Sequence, residues 1–406
     1  YSTWVNKELE AHIPDHVIYD VVKWTSSHTQ KFLKGLDKLF VYDDNLKILV
    51  MNIEAFSTKK GCQYANKFIQ ANKTMFIIDE STTIKNPSAK RTANCVRLGK
   101  YAHYRRILTG SPITKSPLDL YSQCMFLDPA LLGFSSYFSF RARYADMKEM
   151  TGQGRTFKFV TGYKNLDELN ETLGKFSHRV LKKDCLDLPE KIYIRREIQM
   201  TPEQTKAYKE LQNFAATQLA NNKLVTINHI MTQIIRLHQI SCGFIGTDDG
   251  SITELTNNRV SELSSILEET DGKVIIWANY RHDIKRIEKL LIDTYGEESV
   301  GTYYGDVKQE RREFVINEFQ NPSSTMRFFV GNTQTGGYGI TLTAASTVIY
   351  FSNNYDLEKR LQSEDRAHRI GQTNKVTYID IVCENTVDEK IVKALRKKQS
   401  IASTIL

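Results

Sequence analysis

Short apolar runs, each closed by a polar or glycine-containing turn, recur along the chain: KILVMNIEAF (47–56), TMFIIDES (74–81), YRRILTGSP (104–112), KVIIWANY (273–280), MRFFVGNT (326–333) and STVIYFSN (346–353). Runs this continuous lack the in-out alternation of a half-exposed strand. They predict buried parallel strands whose carboxyl ends carry the chemistry. Between them, SPLDLYSQCMFL (116–127), HDIKRIEKLLIDTY (282–295) and QERREFVINEF (309–319) place apolar residues at helical spacing. Strands alternating with helices predict an α/β fold with parallel sheets.

The middle of the chain breaks that rhythm. Residues 127–180 are rich in Phe, Tyr and Arg with few strand-like runs, and 201–243 read as helices starting at the N-cap Thr201, with Pro202 and Glu203 in the first turn. Both stretches suggest a helical insertion in or after a first lobe. Gly, Asp, Ser and Asn crowd GTDDGSITELTNN (246–258), which reads as a linker between a lobe at 1–245 and a second at 259–406.

A length of 406 residues accommodates roughly two to four domains. With 41% hydrophobic and 25% charged residues, extended disorder is excluded. No apolar run approaches the roughly 18 residues needed to span a membrane, and YSTWVNKELE lacks the charged-then-apolar order of a signal peptide. The six cysteines form no C-x-x-C pair, so zinc is not expected and free thiols of a reducing compartment are. The net charge of +8 is mild and merely compatible with a polyanionic partner.

Candidate chemistry sits at the strand ends. In FIIDEST, Asp79 and Glu80 close an apolar strand. Such a pair can hold magnesium through its hydration shell (Asp79) and deprotonate the water attacking a γ-phosphate (Glu80). The same run also fits a strand-to-helix turn whose acids cap the next helix. In LTGSP (108–112), Thr109, Gly110 and Ser111 are placed either to relay nucleotide state from the acids or only to turn the chain. QTGGYGITLTAAS (334–346) packs Gly336, Gly337 and Gly339 into four positions, which lets backbone approach a phosphate. In QSEDRAHRIGQ (362–372), Arg366 and Arg369 are three apart and so share one helical face, with Gln362 one turn earlier. Two guanidinium groups so placed suit a polyphosphate reached from a neighbouring domain. A solvated charged helix is the plainer alternative, because Glu364, Asp365 and His368 lie in the same run.

In order and spacing, DEST, LTGSP, TGGYGITLTAAS and QSEDRAHRIGQ resemble motifs II, III, V and VI of the superfamily-two helicases, and DRAHRIGQ resembles the Swi/Snf family of DNA translocases in particular. YSTWVNKELEAHIP (1–14) resembles motif Ia, ILVMNIEAF (48–56) motif Ib, and KVIIWANY motif IV. LKKDCLDLPEKIYI (181–194) resembles the strand after the helical protrusion, and ENTVDEKIVKALRKKQS (384–400) the closing brace helix, so the likeness covers nearly the whole chain. It implies two RecA-like lobes that clamp ATP and Mg2+ and move along a duplex. Asp79 would then be the magnesium-associated acid, Glu80 the catalytic base, and Arg366 and Arg369 fingers from the second lobe. Gly337, Gly339 and Gln362 would lie by the nucleotide, and Thr109, Gly110 and Ser111 would couple the sites. Thr3, Asn52, Thr335 and Gly336 would touch the DNA backbone or support the groups that do. The implied partner is double-stranded or branched DNA without sequence preference, since phosphate contacts carry no sequence information. The implied function is ATP-dependent translocation or remodelling, in repair, recombination or fork processing. A strand-separating helicase and a catalytically silent DNA-binding module are the alternatives. The expected location is a bacterial or phage-infected cytoplasm, or the nucleus in a eukaryote.

The chain departs from the family pattern at one decisive place. No Gly-Lys-Ser or Gly-Lys-Thr occurs: Gly99-Lys100, Gly174-Lys175 and Gly272-Lys273 are followed by Tyr, Phe and Val. The expectation is a chain missing its first strand, P-loop and lysine, whose intact form is a DNA-dependent ATPase and which by itself binds ATP poorly. DEST also replaces the commoner DEAH or DEGH, LTGSP stands for LTGTP, and Thr341 stands where Asn is frequent. TGQGRT (151–156) reads as a loop, and Trp277, Tyr303 and Tyr304 as packing beside apolar strands.

Overall fold

The computed structural model describes residues 4–26, 30–152, 155–180, 182–220, 227–246, 251–336 and 339–405. Two compact units result, Tyr1–His178 with Lys398–Leu406, and Arg179–Lys397.

In the first unit, β1 (Tyr19–Lys23) pairs in parallel with β2 (Leu46–Val50), and β3 (Met75–Asp79) with β4 (Tyr104–Leu108). The helices Lys59–Ala71 and Lys90–Gly99 cover one face of the β3–β4 pair. They bury Cys62, Ala65, Ile69, Cys95 and Leu98 with Ile78 of β3. Phe76 meets Phe126 edge-on at 5.0 Å, a geometry that suits aromatic quadrupoles. The run expected as a single strand over 47–56 ends early: Asn52 Oδ1 accepts the Ala55 N–H at 3.1 Å and starts a 3-10 turn, Ile53–Ser57.

The expected helices at 201–243 are present as Pro202–Ala220 and Ile227–Cys242, whereas the stretch 127–180 holds strands as well as helices. The helices Tyr137–Tyr144 and Leu166–Gly174 are present, but between them β5 (Ala145–Gly152) and β6 (Arg155–Tyr163) form an antiparallel ladder. Ala145, Met147, Val160 and Tyr163 join the core of Phe140, Tyr144, Leu169 and Leu173. Lys148, Glu149 and Lys158 interrupt the ladder's apolar positions, which hid its alternation. Four residues of TGQGRT are strand ends, Thr151–Gly152 against Arg155–Thr156, and residues 153–154 lie outside the described ones.

The second unit is built on β7 (Lys191–Ile198), β8 (Phe244–Gly246), β9 (Ile252–Glu254), β10 (Lys273–Trp277), β11 (Val300–Tyr303), β12 (Phe328–Gly331), β13 (Ala345–Tyr350) and β14 (Val376–Cys383). Six of these form a parallel sheet in the order β11-β12-β10-β13-β14-β7. The expected α/β class with parallel strands is therefore present. The central β10 is buried on both faces, with Val274, Ile275, Ile276 and Trp277 all at 0% exposure, as a sheet covered on both sides requires. Trp277 and Tyr303 are core residues and Tyr304 packs against the core. β7 matches β14 from Lys191↔Val376 to Ile198↔Cys383. That eight-residue ladder holds β7 in the second unit, which starts at Arg179. Within the expected linker, Gly246 and Ile252–Glu254 belong to the short antiparallel β8–β9 pair, and 247–250 lie outside the described residues.

An ionic cluster lies inside this unit. Arg259, at 0% exposure, donates to the carbonyls of Phe351 and Ile381 and to the Asp388 carboxylate. Asp388 also accepts from Ser241 Oγ and the Cys383 N–H, both at 3.1 Å, and lies 3.1 Å from His238 Nε2. Burial works against the Asp388 charge, yet Arg259 and His238 hold its pKa well below the ordinary value. Neighbouring Asp283 has the opposite balance: burial pushes it up to about 6, only partly offset by Arg286 and Arg259.

Cys62, Cys95, Cys124, Cys242 and Cys383 are buried free thiols and Cys185 is exposed. Among the described residues there is no cluster able to hold a metal through His, Cys, Asp and Glu, and no helix long and apolar enough to cross a membrane.

Candidate functional site

The acid pair stands where the strand pattern put it, at the carboxyl end of β3. Glu80 takes left-handed backbone angles, φ 49 and ψ 58. This conformation is uncommon for a residue with a Cβ and turns the chain from β3 into the 3-10 turn Ser81–Ile84. Asp79 Oδ1 accepts the Glu80 N–H at 2.9 Å, and Oδ2 accepts the Trp4 indole N–H at 3.1 Å. Two adjacent carboxylates on a strand end are hard oxygen donors of the kind magnesium prefers, directly or through water. The Glu80 side chain does not cap the turn, which weakens the plainer capping reading.

Thr109, Gly110 and Ser111 follow β4 beside the acids, but Thr109 Oγ1 accepts from its own neighbour, the Ser111 N–H, at 3.1 Å. The buried connection between the two segments runs elsewhere. Ser81 Oγ donates to Gln123 Oε1 at 2.6 Å, and Gln123 Nε2 donates to the carbonyls of Pro112 (2.9 Å) and Asp119 (2.8 Å). Gln123 is fully buried. Sequence reading missed it, since it lies within an apolar helical run, and only its polarity there was a signal.

One face of the β3–β4 pair is bare. Met75, Ile77, Tyr104 and Leu108 are each close to half exposed, and the register sets Met75 beside Tyr104 and Asp79 beside Leu108. Parallel sheets ordinarily have both faces covered.

In the second unit the glycine-rich run and the arginine run are stitched together. Arg366 and Arg369 each direct Nη1 to the Ile340 carbonyl, at 3.0 and 3.4 Å, and the Leu342 N–H donates back to the Arg366 carbonyl at 2.9 Å. The arginines do not share a helical face as expected: the helix Leu357–Glu364 ends before them and they lie in the turns that follow. A shared carbonyl, not helical periodicity, gathers the two guanidinium groups. Gln362 is still helical, and its carbonyl accepts Arg366 Nε at 2.9 Å.

Most other polar side chains of this run are structural. Buried Glu364 accepts from Tyr193 Oη (2.8 Å), Arg360 Nε (2.9 Å) and Lys191 Nζ (3.2 Å). Gln372 Nε2 donates to the Thr343, Ala345 and Ala367 carbonyls. Arg360, which sequence reading passed over, stacks 3.5 Å above the Tyr350 ring and pairs with Asp380.

Gly339 has φ +66, a conformation that favours glycine, whereas Gly336 is needed for space: a Cβ there would lie 2.4 Å from the Trp277 ring. Gly336→Ala is therefore expected to lower stability by about 1–3 kcal/mol through overpacking. An unchanged denaturation midpoint would contradict this. Thr335 lies in the short helical turn Thr333–Gly336, with its N–H on the Asn332 carbonyl. Asn52 serves as the N-cap already described. Thr3 and Gly337 lie outside the described residues.

Both parts of the chain match known families. Residues 2–243 match the family model described as "SNF2-related domain", and residues 258–371 that described as "Helicase conserved C-terminal domain". An "Uncharacterized ATP-dependent helicase" of Mycoplasma pneumoniae is 27% identical over 336 residues, 81% of this chain and 30% of that protein. The "SWI/SNF-related matrix-associated actin-dependent regulator of chromatin subfamily A-like protein 1" of Drosophila melanogaster is 26% identical over 381 residues, 92% of this chain and 46% of that protein. The solved "Sulfolobus solfataricus SWI2/SNF2 ATPase core in complex with dsDNA" is 24% identical, with 97% of this chain and 83% of that one covered and a TM-score of 0.44. The chain spans less than half the length of either curated relative. With the first family model covering more than half of its residues, the chain belongs to the SNF2-related family.

Proposed function

We propose that this chain is the motor of an ATP-dependent translocase on double-stranded DNA, in which an acid pair in the first unit and an arginine pair in the second act on one nucleotide. The observation that carries this reading is the separate preparation of both pairs: Asp79 and Glu80 on a strand end with Glu80 in a left-handed turn, and Arg366 and Arg369 gathered on the Ile340 carbonyl. ATP with magnesium supplies the phosphoryl chemistry when bound. Asp79 fits the ion through its hydration shell, and Glu80 orients and deprotonates the attacking water. Both arginines neutralise charge on the transferring phosphoryl group once they leave the Ile340 carbonyl. Thr109, Gly110 and Ser111 act with the Ser81–Gln123–Pro112 connection to carry nucleotide state away from the acids.

The phosphate cradle has no counterpart in these 406 residues, which lack any Gly-Lys-Ser or Gly-Lys-Thr. The bare face of Met75, Ile77, Tyr104 and Leu108 suits the packing of a further helix beside Asp79. Gly337 and Gly339 line the nucleotide from the second unit, with Gln362 beside the arginines. Thr3, Asn52, Thr335 and Gly336 serve the DNA backbone, so binding is independent of sequence and falls log-linearly with salt. Repair, recombination or fork processing is the proposed setting, with branched as well as plain duplex as substrate.

The test is ATP hydrolysis by the full-length protein with duplex, single-stranded or no DNA, over a salt series. Strong stimulation by duplex of any sequence, weakening as salt rises, is expected. Duplex binding without hydrolysis would favour a silent DNA-binding module instead.

A further inference from the structure

Tryptophan has one hydrogen-bond donor and no acceptor, and the three tryptophans of this chain use it differently. Trp24 and Trp277 are buried, and their indole N–H groups meet no acceptor among the described residues. Trp4 is 39% exposed, so water is free to take its N–H, yet Nε1 lies 3.1 Å from Asp79 Oδ2. The contact closes a separation of 75 residues. It starts from a five-residue π-helical turn, Trp4–Glu8, a rare backbone form that recurs at functional sites.

The other carboxylate oxygen, Oδ1, accepts the Glu80 N–H at 2.9 Å. A carboxylate otherwise turns broadly about its last torsion, and one donor on each oxygen fixes its plane. Each oxygen keeps lone-pair capacity for the waters around a divalent cation. The Glu80 donor belongs to the same strand end and follows Asp79 automatically. The Trp4 donor comes from a remote segment and is therefore the part of the clamp that can be removed without altering either acid.

We propose that Trp4 is a positioning residue for the metal at Asp79, its indole N–H holding the carboxylate in the orientation that receives the hydration shell of magnesium. This rests on the proposed role of Asp79. Trp4 acts only through that carboxylate and touches no reacting atom.

The test uses full-length protein carrying Glu80→Gln, so that bound ATP is not consumed, with nitrogen-15 in the tryptophans and Mn2+ in place of magnesium. The Trp4 indole resonance is assigned by its loss in Trp4→Phe. Asp79→Asn is expected to shift it, and Mn2+ with ATP to broaden it. Trp4→Phe should raise the Mn2+ concentration for half-saturation, read from the electron spin resonance of free Mn2+, by about tenfold, the order of a hydrogen bond to a charged group. Trp4→His, which keeps a ring donor, should recover part of that loss, and both variants should keep the parent's thermal midpoint.

Equal Mn2+ affinity in Trp4→Phe and its parent would overturn the positioning role and leave Asp79 as the metal acid. A parent whose Trp4 resonance ignores Mn2+ with ATP, but still shifts on Asp79→Asn, would overturn the metal role of Asp79 and the proposal with it.

Discussion

Replacing Glu80 with Gln is expected to lower DNA-stimulated ATP hydrolysis by the full-length protein about 100- to 10,000-fold, the usual worth of a positioned general base. The exchange keeps the side chain's length and one carbonyl acceptor while removing the charge and with it the ability to take a proton. It also keeps a residue with ordinary tolerance at the left-handed position, where φ is 49, so loss of activity is not explained by a rearranged turn. ATP and duplex affinity should stay within a few-fold of the parent. Single-turnover hydrolysis beside equilibrium binding makes the distinction. Unchanged hydrolysis would remove Glu80 from the base role, and weakened ATP binding with unchanged turnover would make it a ligand.

The largest effect on stability is expected at Arg259. Its guanidinium is fully buried and ties the first turn of the helix Val387–Ile405, through Asp388, to the carbonyls of Phe351 and Ile381. Arg259→Met leaves Asp388 charged and buried with a weaker partner in His238, and should cost about 3–5 kcal/mol of unfolding free energy. Arg259→Met combined with Asp388→Leu should cost clearly less, since neither charge is then stranded.

The pH dependence has two separate windows. Asp388 has a depressed pKa in the folded protein, so its contribution is present above the ordinary carboxylate range and disappears as pH falls below it. Asp283 is raised to about 6. Between the ordinary carboxylate range and that value the folded state holds a proton the unfolded state has released, so stability declines as pH rises through this window and levels off above it. Asp283→Asn should flatten that second slope and leave the first. Denaturant titrations at a series of pH values read both, and an Arg259→Met protein as stable as the parent would refute the first part.

Much of this fold was legible because its strands are continuous apolar runs. Burial on both faces requires such runs, as β10 shows with four fully buried residues in succession. The β5–β6 ladder escaped notice because Lys148, Glu149 and Lys158 break up its apolar positions, of which Ala145, Met147, Val160 and Tyr163 face a core among the side chains described. The partner of β7 was illegible for another reason: β14 lies far along the chain, and no local pattern chooses between partners. The site divides in the same way. Asp79 and Glu80 could be placed from the strand that precedes them, which is local information. The turn conformation of Arg366 and Arg369 could not, because it is set by the Ile340 carbonyl from another segment. Trp4, Gln123 and Arg360 are likewise defined by tertiary partners: Asp79, Ser81 and Asp380.

The central claim is movement along duplex DNA driven by ATP. It is tested most directly by displacement of a triplex-forming strand from a duplex track by the full-length protein, run beside unwinding of the same duplex without the third strand. The account predicts ATP-dependent release of the third strand while the duplex stays paired. Separation of the plain duplex, or release of the third strand without ATP, would contradict it.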